Sequence, residues 1–244
     1  MITRRDLLKG AGALVVSFIG APAVDIAFGQ TSGAIPGKPA LTPDELDSWI
    51  AMKTDGSVIA FFGKMDMGQG VDVAIGQIVA EELDVAFDRV TVVMGDTAFT
   101  CNQGGASGST GIQRGGLTLR LAAAEARRLL LARASENLGA PVDTLTVQNG
   151  VVSIATNPQK KIGYGELIGG GHFHHKLEWN KQFGNTLLAR GQAAPKKPDD
   201  YKVVGTSIPQ RIITDKIYGR QPYVTDVRVP GMLQIGRASC RERV

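Results

Sequence analysis

The sequence predicts an α+β fold, an α/β sandwich of two main helices on a mostly antiparallel sheet in the order ββαβαββ, followed by the start of a second domain. Three observations predict it. Short alternating segments meet at Asp55-Gly56 and again at Asn149-Gly150, and both are hairpin signatures. Two stretches of helical character, Val71–Leu83 and Gln113–Leu138, lie between the hairpins. A short apolar run, "RVTVVMG", separates the helices and reads as a buried strand.

In chain order, "SWIAMK" and "SVIAFFG" alternate apolar and polar residues about the first turn. Val71, Ile75, Ile78 and Val79 recur at helical spacing and define one face of the first helix. The second helix is rich in Leu, Ala and Arg and is stopped by Gly139 and Pro141. "TLTVQ" and "VVSIAT" flank Asn149-Gly150, the strongest short-range hairpin signal. Beyond Gly163 the pattern weakens: "RGQAAPKKPDDYK" reads as a linker and "YVTDVRVPGML" opens a new strand.

The ends differ in character from the middle. "TRRDLLKGAGALVVSFIGAPA" pairs Arg4 with Arg5 ahead of a mildly apolar run, Gly10 to Ala21, that is too short to span a bilayer. It resembles a twin-arginine export signal, which implies passage through the twin-arginine machinery and a periplasmic location. Ile235–Val244 looks like a sequencing adapter translated in frame, so the natural chain is expected to continue past Leu233. The expected organisation is a signal segment at 1–29, a linker at 30–47, an α/β domain at 48–165, a connecting segment at 166–202, a second domain opening at 203–234, and the adapter at 235–244.

Of the net charge of +4, the signal contributes +1 and the last ten residues +2, leaving +1 for residues 30–234. No basic patch therefore argues for nucleic acid. Of the two cysteines, Cys240 belongs to the adapter, leaving Cys101 alone. An internal disulfide is excluded, and so is an iron–sulfur cluster, which is held by about four thiolates.

Candidate chemistry centres on "MDMGQGVDVAIGQ", where a strand hands over to a helix. The first amides of a helix lack partners and carry the positive end of its dipole, so an anion is their natural guest. Gly68 and Gly70 allow close approach, and Gln69 brings a carboxamide that donates and accepts, suited to a heterocycle edge. A dinucleotide fingerprint requires glycine where Val73 stands, and no P-loop Lys-Ser/Thr follows. A turn that merely packs on the sheet is the alternative. A second loop, "QGGASGST", adds amides and the hydroxyls of Ser107, Ser109 and Thr110. The β-α-β-α order brings both loops to one end of the sheet, and together they favour a cofactor site over a solvent loop. Glu81 and Glu82 fall at the far end of the helix and read as solvated or structural. His172, His174 and His175 read as a structural or interface strand, and no metal ligand is assigned. Gly105-Ala106-Ser107-Gly108 places its glycine one residue too early for a nucleophile elbow, which disfavours a serine hydrolase.

"MDMGQGVDVAIGQIVAEELDV", "GDTAFTCNQGGASGST" and "VTDVRVPGML" resemble the molybdopterin-binding large subunits of the xanthine dehydrogenase and aldehyde oxidase family, in particular the exported isoquinoline 1-oxidoreductase beta-subunit type. The resemblance runs from about Trp49 to Leu233 and covers the N-terminal part of such a subunit. It implies molybdopterin, as the cytosine dinucleotide, with molybdenum. It implies cofactor contacts from Gly68, Gln69, Gly70 and Val71, and from Ser107, Gly108, Ser109 and Thr110. It implies hydroxylation of aldehydes or N-heterocycles with oxygen from water, and a base glutamate beyond Leu233, so no catalytic residue is assigned and the present chain alone is expected to be inactive. It also implies a small iron–sulfur partner subunit, with a cytochrome as the onward electron acceptor. The alternative from another class is a non-catalytic exported module that binds a phosphorylated ligand.

Overall fold

In the computed structural model, which describes residues 41–233, the chain turns at Asp55-Gly56 for a local reason. The Asp55 carboxylate accepts from the amide and the hydroxyl of Ser57, at 2.7 and 2.6 Å, and Gly56 takes a φ of +79°. The flanking strands β1 (Ile50–Met52) and β2 (Val58–Phe62) pair antiparallel. Helix α1 (Val71–Leu83) fills the range its periodicity predicts, and β3 (Val90–Met94) returns parallel to β2. A strand–helix–strand crossover brings the chain back in the same direction. Phe62 and Met94, the last residues of β2 and β3, are therefore register partners. The loops that leave them start from one edge of the sheet.

Helix α2 (Leu117–Leu138) begins later than the sequence predicts, because Gly111–Gly116 wind as a wider π-helical turn. Glycine is required within that turn: a methyl group at Gly115 would lie 2.8 Å from the Phe62 ring. Along α2, Ala122, Ala123, Ala126 and Ala134 are buried with Leu119 and Leu130, and these small side chains let α1 pack closely against it. Gly139, at φ +62°, ends the helix in the left-handed conformation.

Asn149 and Gly150 both take positive φ and close the second hairpin, between β4 (Leu145–Gln148) and β5 (Val151–Ile154). A third antiparallel strand, β6 (Asn157–Gly163), and a short helix, α3 (Tyr164–Ile168), extend the predicted order. The sequence hides β6 because residues 157–161 are all exposed and carry no apolar alternation. The α+β class holds. Its strands are divided among three sheets, β1-β2-β3, β4-β5-β6 and the small pair β7 (Glu178–Trp179) and β8 (Ala189–Arg190), and not joined in one. Periodicity identifies a strand but not its neighbour.

Past α3 the chain runs as a strap over the two helices, held by buried carboxylates. Asp47 accepts from the amides of Phe173 and His174, at 2.8 and 2.9 Å. Glu125 accepts from Gln192 and Ala193, both at 2.9 Å, and Glu82 from Lys196 at 3.1 Å. Glu81 accepts from Lys202, Val203 and Val204 at 2.6–3.0 Å. After the strap comes one more short helix, α4 (Ile213–Ile217). Where "YVTDVRVPGML" predicts a strand, the described residues hold a single 3₁₀ turn, Val224–Asp226, and pair with no described strand. A strand with no neighbour leaves its backbone groups unpaired. The signal segment, residues 30–40 of the linker and the final decapeptide lie outside the described residues.

Candidate functional site

The glycine turn leaves the sheet edge at the end of β2. Gly68 and Gly70 have φ of +102° and +79°, and Gly70 caps α1. One oxygen of Asp66 accepts from the amides of Gly68 and Gly70 at 2.7 and 3.2 Å, and Gln69 Oε1 accepts from Met67 at 2.8 Å. The turn thus converges two N–H groups on an oxyanion, and that oxyanion belongs to its own chain. Gln69 is exposed, and the Cα faces of Gly68 and Gly70 are bare. Added methyl groups at Gly70 and Gly68 would meet only Gln210, at 3.6 Å, and Lys216, at 4.0 Å. Gln210 Nε2 also donates to Gly68 O at 3.2 Å. Sequence reasoning misses these two residues because they arrive from a distant segment with no motif of its own.

The second loop lies beside the first. A methyl group at Gly111 would sit 3.7 Å from Val71 Cγ2, so the buried first residue of α1 touches the turn that follows the loop. Ser107, Gly108 and Ser109 are exposed, and Thr110 is half-buried. Gly108 and Ser109 take left-handed φ of +64° and +55°. The structure thus links the two loops through Val71 and through Lys64; of the eight sequence-predicted residues six are glycines or polar groups with hydroxyls or a carboxamide, while Val71 packs and Thr110 is turned inward.

Three further residues fasten this loop. Lys64, only 2% exposed, donates from Nζ to Gly105 O at 2.8 Å, to Thr110 Oγ1 at 3.3 Å and to Asn185 Oδ1. Burial holds its pKa below the ordinary lysine value. Buried Gln103 accepts from the Gly63 amide at 2.8 Å and donates to Gly115 O at 3.0 Å. One signal for Lys64 exists in the sequence: continuing the period of two beyond β2 puts it on the same face as Phe62. A cleft of about 430 Å³, lined in part by Gly63, Gly95, Cys101 and Phe183, opens beside these strand ends.

At the opposite end of α1, Glu81 and Glu82 are structural and buried, not solvated. Burial alone would raise the Glu81 carboxyl, but the three strap amides outweigh it and hold its pKa below the ordinary value. The histidine segment is an irregular strap, not a strand: His174 has a φ of +51°, and only Lys176 makes a bridge, to Glu45. His175 Nε2 lies 2.9 Å from Glu125 Oε1, and the His172 and His174 rings meet edge to face. Among the described residues no cluster of three His, Cys, Asp or Glu is placed to hold a metal ion.

None of the eight edge residues bears a thiolate, imidazole or carboxylate. Bare backbone faces, hydroxyls and a carboxamide fit a flat polar heterocycle with phosphate, held by hydrogen bonds and not by ligation of a metal.

The molybdopterin cofactor-binding domain family matches residues 21–208, a range that includes both loops, Lys64 and Asn185. A nicotinate dehydrogenase subunit of Pseudomonas putida is 38% identical over 233 residues, 95% of this chain and 18% of that protein. The beta subunit of isoquinoline 1-oxidoreductase from Brevundimonas diminuta is 30% identical over 260 residues, 95% of this chain and 32% of that protein. The chain thus spans less than a third of the length of either relative. Among solved structures, CO dehydrogenase from Oligotropha carboxidovorans covers 49% of this chain and 15% of its own at 26% identity, with a TM-score of 0.45.

Proposed function

Because the chain belongs to the molybdopterin cofactor-binding domain family of xanthine dehydrogenase-type subunits, we propose that it forms cofactor-holding structure in an exported molybdenum hydroxylase. The substrates are aldehydes or N-heterocycles, and the cofactor is molybdopterin as the cytosine dinucleotide. The observation that carries this reading is the convergence of the Gly68–Gly70 turn and the Ser107–Thr110 loop at the shared carboxyl edge of β2 and β3. Ligands of open α/β units sit outside the carboxyl ends of parallel strands.

Each residue then has a physical task. Gly68 and Gly70 admit the ligand to the backbone, and the Gln69 carboxamide reads a ring edge. Ser107 and Ser109 supply hydroxyl donors for oxygens, while Gly108 keeps that surface free of a side chain. Val71 sets the distance between the two loops by packing. When bound, the cofactor supplies two-electron oxidation with oxygen taken from water; this chain binds and orients it. Electrons pass to a separate iron–sulfur protein and on to a cytochrome. The division into a domain at 48–165 and a second one opening at 203 belongs to the same reading.

The test is the molybdenum and pterin content of the purified full-length protein. Stoichiometric molybdenum and pterin are expected. A colourless, metal-free protein that binds a phosphorylated ligand would overturn the proposal in favour of a non-catalytic binding module.

A further inference from the structure

Lys64 is the one deeply buried cation among the described residues. The buried carboxylates of Glu81, Glu82 and Glu125 each have a Lys or Arg within 4 Å. The partners of Lys64 are three neutral oxygens, and no carboxylate among the described residues forms an ion pair with it. An ammonium group withdrawn from water without a counter-charge is costly, and neutral acceptors offset only part of that cost.

The placement of the three oxygens gives the charge a use. Gly105 O and Thr110 Oγ1 belong to the two ends of the exposed Gly105–Thr110 loop, and Asn185 lies in the turn that backs it. Thr110 passes the connection on, donating to Ser107 O at 2.9 Å. Behind a loop that thin, a positive charge projects its field through to the outer face. It also polarises the groups it holds. The outer face carries Ser107, Gly108 and Ser109.

We infer that Lys64 is a positioning residue that fixes the Gly105–Thr110 loop from behind and supplies the counter-charge for an anionic group, phosphate in chemistry, bound on the loop's outer face. Only the identity of that group as part of molybdopterin rests on the proposed function.

Lys64→Met in the full-length protein keeps the volume and removes the charge. The variant is expected to retain its far-ultraviolet circular dichroism. Amides 104–111 are expected to exchange at least about tenfold faster, as loss of one or two hydrogen bonds implies. Inorganic phosphate added to cofactor-free protein should slow exchange in this loop for the wild type and not for K64M. Molybdenum and pterin content should fall with it. Unchanged loop exchange in K64M overturns the positioning role, and equal phosphate protection in both proteins overturns the counter-charge role. Should K64M fail to fold, Asn185→Ala and Thr110→Val decide: unchanged loop exchange in both overturns the inference. A wild type without molybdenum or pterin removes the cofactor reading but leaves the phosphate measurement to judge Lys64.

Discussion

Gly63 follows β2 directly and Gly70 caps α1, and the structure needs the two glycines for different reasons. Gly70 has a left-handed φ and an outer face approached only by Gln210, whereas a methyl group at Gly63 would fall 1.7 Å from the Cys101 carbonyl oxygen. Gly70→Val therefore costs about 1–2 kcal/mol of backbone conformation and leaves the packing intact. It places a branched side chain where the backbone is proposed to meet the cofactor. Gln69→Ala removes an exposed carboxamide and the hydrogen bond to Met67, a loss of about 0.5–1.5 kcal/mol. In the full-length protein, G70V is expected to fold, by circular dichroism, yet lose its molybdenum, while Q69A retains a reduced share. G70V with a full complement of molybdenum would show that the turn holds nothing. The turn is legible in the sequence because its glycines, glutamine and helix start are contiguous. For Lys64 the sequence shows only the face it lies on and not what it holds, since its three partners lie 41, 46 and 121 positions away.

Among the elements, the strap from 172 to 204 depends most on single side chains. Glu81 collects three successive amides, and Glu125 collects two while Arg128 and His175 approach it from the other side. Close approach is enforced: a methyl group at Gly191 would land 2.2 Å from Glu125 Cδ. The Glu81 pKa lies below its ordinary 4.5 in the folded chain, so the folded state favours the carboxylate. Its stabilisation is complete above pH 4.5 and is lost as the pH falls through the lower, folded value. Glu81→Gln should cost about 1.5–3 kcal/mol near neutral pH, the range for hydrogen bonds to a charged group. The gap to wild type should then shrink below pH 4.5, as followed by urea unfolding of the full-length protein at several pH values. A gap that stays constant, or widens in acid, would show that the carboxylate charge is not what holds the strap. The sequence marks α1 to the residue because its apolar face repeats without interruption. It does not mark the strap, because backbone amides do the binding there and they leave no trace in side-chain pattern. The same holds for β6, whose exposed residues carry no periodicity, and for the split into three sheets, which long-range packing decides.

On the scale of the whole molecule, the reading joins two segments that lie far apart in the chain. The loops at the sheet edge are described; the paired arginines Arg4 and Arg5 lie outside the described residues. The proposed cofactor connects them. A ligand gripped by backbone faces from two separate loops can be held only once β2, α1, β3 and α2 have assembled, so loading must follow folding. If loading happens in the cytoplasm, export must then carry a folded, loaded protein, which the twin-arginine route does. Arg4→Lys with Arg5→Lys keeps the charge of the segment unchanged and alters only the guanidinium chemistry. In the full-length protein this pair is expected to leave molybdenum-loaded enzyme in the cytoplasmic fraction, with metal content per chain equal to that of the wild type. Cofactor-free protein accumulating there would separate loading from folding and break the connection. Wild-type recovery from the periplasm would show that the two arginines are only a basic cap on an apolar segment, and the proposed location would fall with them.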